Sequence, residues 1–558
     1  KSGSDDYHVN SIGNTGYTYI LKEDGTVSSL GYNVNGELGN GAKASTTAVQ
    51  KVSNLTEIMQ VAGSKNGNFG AAVKEDGTVW TWGANTKGQL GNGTTDSPKL
   101  NAIQVGSSGS NAMRITHGSV TNQDTGIQRV EFNNELITNV LIAENEEFHI
   151  FEDGISLNQS FSLLPDSQEV KAGSVEYTSF NPNIATVGKY TGIVTPVKGI
   201  YGTAIIIAKS DGYSSIIRVS IKPQDTDDVK SVAKPMVATG ASHTIALKYD
   251  GTVWTWGNNT NGQLGNNSTE NSSSPVQVKS ADGNTFLTNI IEISAGSGHN
   301  MALRNDGTVW TWGSNTYGQL GNGSSVNSML PVQVKSADGN SFLADIVQIS
   351  AGYVHSMALK KDGTVLAWGR NDGGQLGNNN TSNKSLPVQV KGGASGSEYL
   401  TDVVQVTAGN WHSMALKANG TVYAWGWGQY GQLGNGYTTN RDDTDYYSYE
   451  KIYSAPVQVL NGAQTSETGY LKEVVQIDAM GGTGRGEKNR FGTSLAVTES
   501  KEVYGWGNSM YGALGVNASI VSTPVRVATG ISTAVQVAGG SKSGSDDYHV
   551  NSIGNTGY

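Results

Sequence analysis

Four histidines, His243, His299, His355 and His412, stand in matching segments, each followed after two residues by Ala-Leu. Imidazoles at a repeated spacing invite two chemistries, metal ligation and general-base catalysis. One histidine per repeat, however, spreads the set around whatever the repeats build, and a residue present in repeat after repeat serves the repeat itself. They are therefore expected to be structural. The chain has no HExxH, no GxSxG, no Walker-type glycine loop and no Ser/His/Asp set at a useful spacing. With zero cysteines, thiolate metal sites, disulfides and a cysteine nucleophile are excluded. No catalytic, metal or cofactor site is expected, and the chain reads as a non-enzyme. Two segments stand apart from this pattern. One is acidic and tyrosine-rich, with Asp442, Asp443, Asp445, Tyr446, Tyr447 and Tyr449; the other is basic, with Arg485, Lys488 and Arg490. Tyrosine gives contact area at low entropy cost, so these residues form the candidate interface. Asp442–Asp445 lacks the longer ligand pattern of a dedicated calcium loop.

The elements that must position these residues follow from composition. The 558 residues exceed what one compact core serves, and 74 glycines against 11 prolines point to many tight turns. A net charge of −10 with no basic cluster disfavours nucleic acid and anionic membranes as partners. No apolar run is long enough to cross a membrane as a helix, so no membrane insertion is expected in this segment.

Residues 1–17 recur letter for letter as 542–558, an offset of 541. Such exact self-similarity predicts a tandem array of which one unit and the start of the next are present. Inside the unit a shorter motif recurs, as in Asp250-Gly251-Thr252-Val253-Trp254-Thr255-Trp256-Gly257 followed by Gly262-Gln263-Leu264-Gly265. Its turn glycines are 25, 77, 251, 307, 363 and 420, with Lys501 aligned to them, giving seven repeats. Asp-Gly between alternating apolar residues predicts a hairpin whose central positions favour φ > 0. His299–Leu303 and Val309–Trp312 alternate at period two, and Pro331–Val334 and Ile346–Ile349 supply two further strands. Four strands in about 56 residues, seven times over, close most economically into a propeller, which leaves only short edges.

The motif H-x-x-A-L-x-x-D-G-x-V-x-x-W-G-x-N-x-x-G-Q-L-G resembles the regulator-of-chromosome-condensation repeat, and the resemblance implies a seven-bladed propeller. Repeats one and seven fit least well: Ser28-Ser29-Leu30-Gly31 replaces Trp-Thr-Trp-Gly, and Glu499-Ser500-Lys501-Glu502 replaces the turn. From about 106 to 230 the motif vanishes. There Val175–Val187, Gly192–Gly199 and Gly202–Ile205 resemble a bacterial immunoglobulin-like domain of the intimin/invasin type. Tyr177 stands at the family's core tryptophan, and Asp225–Asp228 forms a return linker. The expected fold is all-β, a seven-bladed β-propeller with an inserted Ig-like β-sandwich. Its boundaries are 1–105 for blades 1–2, 106–230 for the insert, 231–541 for blades 3–7 and ring closure, and 542–558 for the next unit.

These features predict an extracellular bacterial fibre or surface stalk of propellers joined head to tail at the ring seam, each with the insert projecting as an outgrowth. Its partners would be copies of itself and cell-surface or matrix ligands. The alternative is a propeller that binds a glycan or peptide. The resemblance also implies exchange-factor activity on a small GTPase, or nucleosome binding, through a wedge loop and a basic surface; neither feature is found in the sequence.

Overall fold

Four-stranded antiparallel sheets recur seven times in the computed structural model, each running from an inner to an outer strand. The structure describes most of residues 16–541, apart from 107–112, 114–127, 130–138, 150–174, 223–232, 439–451, 484–489, 528–533 and some shorter runs. Every assigned element among the described residues is a strand. Blade 4 shows the pattern: inner strand Ile290–Ala295, then His299–Arg304, Val309–Gly313 and outer strand Ser328–Gln333. Blades 2, 3, 5, 6 and 7 begin with inner strands Ile58–Gly63, Met236–Thr239, Ile346–Ala351, Val403–Ala408 and Val474–Thr483. Each inner strand lies beside those of the neighbouring blades, so the ring closes.

Closure falls in blade 1. Its inner strand is Ala534–Ser541, from the far end of the chain, paired antiparallel with Gly16–Lys22. The seam expected to join successive units is therefore satisfied within one chain. Residues 1–15 and 542–558, which hold nearly all of the duplicated sequence, lie outside the described residues.

The second tryptophan of each W-x-W-G, or the tryptophan aligned with it, is fully buried: Trp82, Trp256, Trp312, Trp368, Trp425 and Trp506. The leucine of the following Gly-Gln-Leu-Gly segment is buried as well, and both fill the space between blades. The Asp-Gly turns differ from expectation. Among the described residues of the blade 3 turn only Gly251 has positive φ, at 72°. Its N–H donates to Lys248 O at 3.0 Å while Lys248 N–H donates to Thr252 O at 2.9 Å, which makes a three-residue loop with a glycine bulge. Asp250 Oδ1 accepts from the N–H and hydroxyl of Thr252 at 3.0 and 2.6 Å. The carboxylate thus supplies the local hydrogen bonds, and the left-handed strain falls on glycine alone.

Between blades 2 and 3 the chain forms two more four-stranded sheets, with strands from Gln128 to Lys222. The insert does not project as a free outgrowth. Strands Gly202–Ser210 and Tyr213–Lys222 carry Ile205, Ile207 and Ile216, which join Phe180 and the propeller's Val404, Leu471 and Val475 in one apolar cluster. Ile216 N–H donates to Ala418 O, in the turn of blade 6, at 2.8 Å. Uninterrupted apolar runs such as Ile205-Ile206-Ile207 suit a strand buried on both faces, one of them toward the propeller.

Candidate functional site

A propeller built this way has two faces. The turn face carries the Asp-Gly loops; the loop face carries the first-to-second and third-to-fourth strand connections. The chemistry of the repeat is spent between the blades. His299 Nε2 lies 3.1 Å from Ser356 Oγ of the next blade, whose proton goes to Gln319 O at 2.8 Å; the imidazole is therefore the donor. His355 and His412 meet Ser413 and Ser494 at 3.0 and 2.9 Å in the same way, and His243 meets Asn300 Oδ1 at 2.9 Å. The same glutamine carbonyl takes the next blade's buried indole, as Trp368 Nε1–H does on Gln319 O at 2.9 Å. All four histidines are fully buried, and burial pushes the His243 imidazole down to about 4, against a hydrogen bond to Asn300 that acts the other way. A Cβ on Gly240 would overlap that imidazole. These rings, with Nε2–H committed to the next blade, are joints between blades.

The inner strands line a channel of about 210 Å³. Along it, one side chain from each of blades 2, 4, 5 and 6 clamps the neighbouring inner strand. Gln60 Oε1 accepts from Val237 N–H at 2.9 Å, Gln348 Oε1 from Val406 N–H at 2.9 Å and Gln405 Oε1 from Ile477 N–H at 3.1 Å. Blade 4 has Glu292 at this position, accepting from Ile349 N–H at 3.3 Å, and blade 3 has Met236.

The loop face breaks the repeat pattern at adjacent blades. Arg370 of blade 5 stacks between Tyr317 of blade 4 and Trp411 of blade 6, its guanidinium 4.5 and 4.4 Å from the two rings. Its Nε and Nη2 donate to the two carboxylate oxygens of Asp372, both at 2.8 Å. The Tyr353 ring lies 6.1 Å from that of Trp411, and burial raises its hydroxyl pKa. Neighbouring loops hold these residues in place: Arg370 N–H donates to Val354 O at 3.0 Å and Tyr353 N–H to Gly409 O at 3.1 Å. Arg370 and Trp411, only 8% and 3% exposed, are thus fixed by stacking and a bidentate ion pair beneath the half-buried Tyr317 and Tyr353. The signal was present in the sequence: Arg370 stands where other repeats have Ala84, Asn258 or Ser314, and Trp411 where they have Gly298 or Val354.

Of the interface residues expected from sequence, Asp442, Asp443, Asp445, Tyr446, Tyr447, Tyr449, Arg485 and Lys488 lie outside the described residues. Arg490 begins a strand, with its backbone opposite Thr483. The described ends of the two segments, at Thr438 and Ile452 and at Thr483 and Arg490, leave the loop face of blades 6 and 7.

Comparison with known proteins fits this geometry. The family model for the RCC1-like domain matches residues 210–544, and that for the regulator of chromosome condensation (RCC1) repeat matches 76–117. The ultraviolet-B receptor UVR8 of Arabidopsis thaliana is 28% identical over 52% of this chain and 69% of its own length. Protein pim1 of Schizosaccharomyces pombe is 33% identical over 38% of this chain and 42% of its own length. The mouse E3 ubiquitin-protein ligase HERC2 is 32% identical over 39% of this chain but only 4% of its own length. Among solved structures, human WBSCR16 aligns with a TM-score of 0.53 at 16% identity, covering 92% of this chain and 95% of its own. Yeast RCC1 (Prp20) bound to Kap60 aligns with a TM-score of 0.52 at 16% identity, covering 93% of this chain and 84% of its own. Both solved structures share the fold. The curated relatives are plant, yeast and mammalian proteins that include a receptor, which overturns the expected bacterial fibre and the expected bacterial cell-surface location. The seam paired within one chain removes the physical basis for head-to-tail joining as well.

Proposed function

Because the chain belongs to the RCC1-like domain family, we propose that it is a protein-binding propeller acting by recognition rather than catalysis, with its partner on the loop face over Arg370. The observation that carries this reading is the Tyr317–Arg370–Trp411 stack, which draws on three blades and is absent from the other repeats. Arg370 and Trp411 are buried, so the stack acts as a support: it holds the half-buried Tyr317 and Tyr353 rings on the loop face, and a held ring costs less to order on binding. Support also comes from Prp20p of Saccharomyces cerevisiae, which shares the fold and has binding properties to Gsp1p and histones. The acidic, tyrosine-rich segment and Arg485, Lys488 and Arg490 are proposed as the second contact, because the described ends of both segments lie on the loop face of blades 6 and 7. The insert is read as the Ig-like sandwich at 106–230, interrupting the propeller between 1–105 and 231–541.

The test is affinity capture and peptide- and glycan-array binding with the wild-type chain and Arg370→Ala, alongside a nucleotide-exchange assay on a small GTPase. A protein or peptide ligand whose affinity falls about tenfold or more in Arg370→Ala supports the reading. Glycan binding alone, capture only of further copies of the chain, or ligand binding indifferent to Arg370 would overturn it. Exchange activity would narrow the partner to a GTPase.

A further inference from the structure

The docked insert places an arginine at the mouth of the channel on the turn face. In the antiparallel pair formed by Gly202–Ser210 and Tyr213–Lys222, Ile205 lies opposite Arg218 and Ile207 opposite Ile216. These residues share one sheet face. Ile206, Ile217 and Val219 point the other way, and all three are buried. On the propeller side Ile205, Ile207 and Ile216 are at most 5% exposed. Arg218 Nη1 reaches Gln405 Oε1 at 3.5 Å and the Val475 carbonyl at 3.4 Å. Gln405 is the clamp that ties blade 6 to blade 7, so the guanidinium caps the joint between them. Burial works against the Arg218 charge and pushes its pKa down to about 10, while Glu292, the acid among the clamping residues of the channel, acts the other way. Two peripheral contacts complete the dock: Lys209 Nζ to Glu499 Oε2 at 2.5 Å, and Lys501 Nζ 5.4 Å from the centre of the Phe180 ring.

The recess therefore consists of an accepting carbonyl at Ala418, an apolar floor and two oxygen acceptors leading to a carboxylate-bearing channel. Tyr213–Lys222 meets it as a peptide would: one main-chain N–H donated across, an apolar side chain at that residue and an arginine two residues on. We propose that the turn face of blades 6 and 7 is a binding site for an extended, arginine-bearing segment of the pattern apolar–x–Arg, and that Ile216-Ile217-Arg218 is its built-in occupant. The insert holds the site closed, and a partner carrying the same pattern competes for it. This site lies on the face opposite Arg370 and does not depend on the loop-face reading.

The experiment uses the full chain and a labelled synthetic peptide with the sequence of residues 213–222. The peptide is titrated into wild type and into the double variant Lys209→Glu/Arg218→Glu, in which the insert's two cationic contacts are reversed. The expected result is about tenfold or tighter binding to the variant than to wild type, and about tenfold weaker binding of a peptide whose arginine is alanine. Hydrogen exchange checks the premise: in the variant the Ile216 amide should lose protection while the Val219 amide, inside the sandwich, keeps it. Failure of the undocked variant to bind, equal binding to both chains, or indifference to the peptide's arginine overturns the proposal. Retained protection at Ile216 in the variant overturns it as well, because the cationic contacts would then not be what holds the insert down.

Discussion

A histidine repeated at one position looks like chemistry until its partners are counted. His243 spends its Nε2–H on Asn300, and Asn300 spends its Nδ2–H on Gln263 O at 2.7 Å. The small polar residue after each histidine, Thr244, Asn300, Ser356 or Ser413, was the readable half of this device; the glutamine carbonyl it meets was not, because the contact crosses blades. The depressed His243 pKa has a sign that can be tested. The unfolded imidazole binds a proton below about 6.5, whereas the folded one, at about 4, does not. The stability it contributes is complete above about 6.5 and falls as the pH drops toward 4, by about 3 kcal/mol at most. Urea unfolding of wild type and His243→Gln at pH 7 and pH 4.5 should show a shallower pH dependence for the variant. Equal slopes would mean that the ring is protonated in the fold. At the joint itself, Ser356→Ala leaves His299 Nε2–H facing a methyl group, and a loss of about 1–3 kcal/mol is expected in the same measurement.

At the level of the element, the alternating strands and the glycine-marked turns were legible residue by residue, since period two and turn chemistry are local. The turn type was not. Asp-Gly fits a two-residue hairpin as well as the bulged loop observed; the backbone bonds between Lys248 and Thr252 and from Gly251 to Lys248 define the bulged loop, and the Asp250–Thr252 hydrogen bonds support it. Blade 7 shows what the glycine is for: Lys501 occupies its place at φ 62°. A lysine there carries strain that glycine would not, so Lys501→Gly should raise stability by about 0.5–1 kcal/mol, less what the Phe180 contact supplies. Thermal unfolding reads this directly, and a lowered midpoint would show that the contact outweighs the strain. The insert's strands were legible as strands, while their docking was not. The run Ile205–Ile207 announces burial on two faces without naming the second surface.

Across the whole molecule, seven repeats announced seven blades, because a tally of identical units survives ignorance of their contacts. The location of the seam was less visible: the innermost strand of blade 1 comes from Ala534–Ser541, at the far end of the chain from the strands it completes, although Val535-Gln536-Val537-Ala538-Gly539 matches the inner strand of blade 2. That strand is a latch. A chain ending at residue 533 keeps six complete blades but leaves Gly16–Lys22 without its inner neighbour and the channel wall open. We expect such a truncation to lower the unfolding midpoint and to broaden the transition relative to the full chain, and calorimetry of the two would show it. A sharp, unshifted transition would mean that the ring holds without its latch. The loop-face cluster belongs to this scale as well, since Tyr317, Arg370 and Trp411 meet only when three blades are in place.

The latch also puts the molecule on a clock. Gly16–Lys22 is made long before its partner strand, which does not begin until residue 534. At roughly 5–20 residues per second, the first strand waits about half a minute to two minutes for its neighbour. Throughout that interval one hydrogen-bonding edge of blade 1 lies open, a template for any other strand in reach. A ring that closes last is most vulnerable while it is being made, so its yield in a cell should depend on how well that edge is shielded until the final strand arrives.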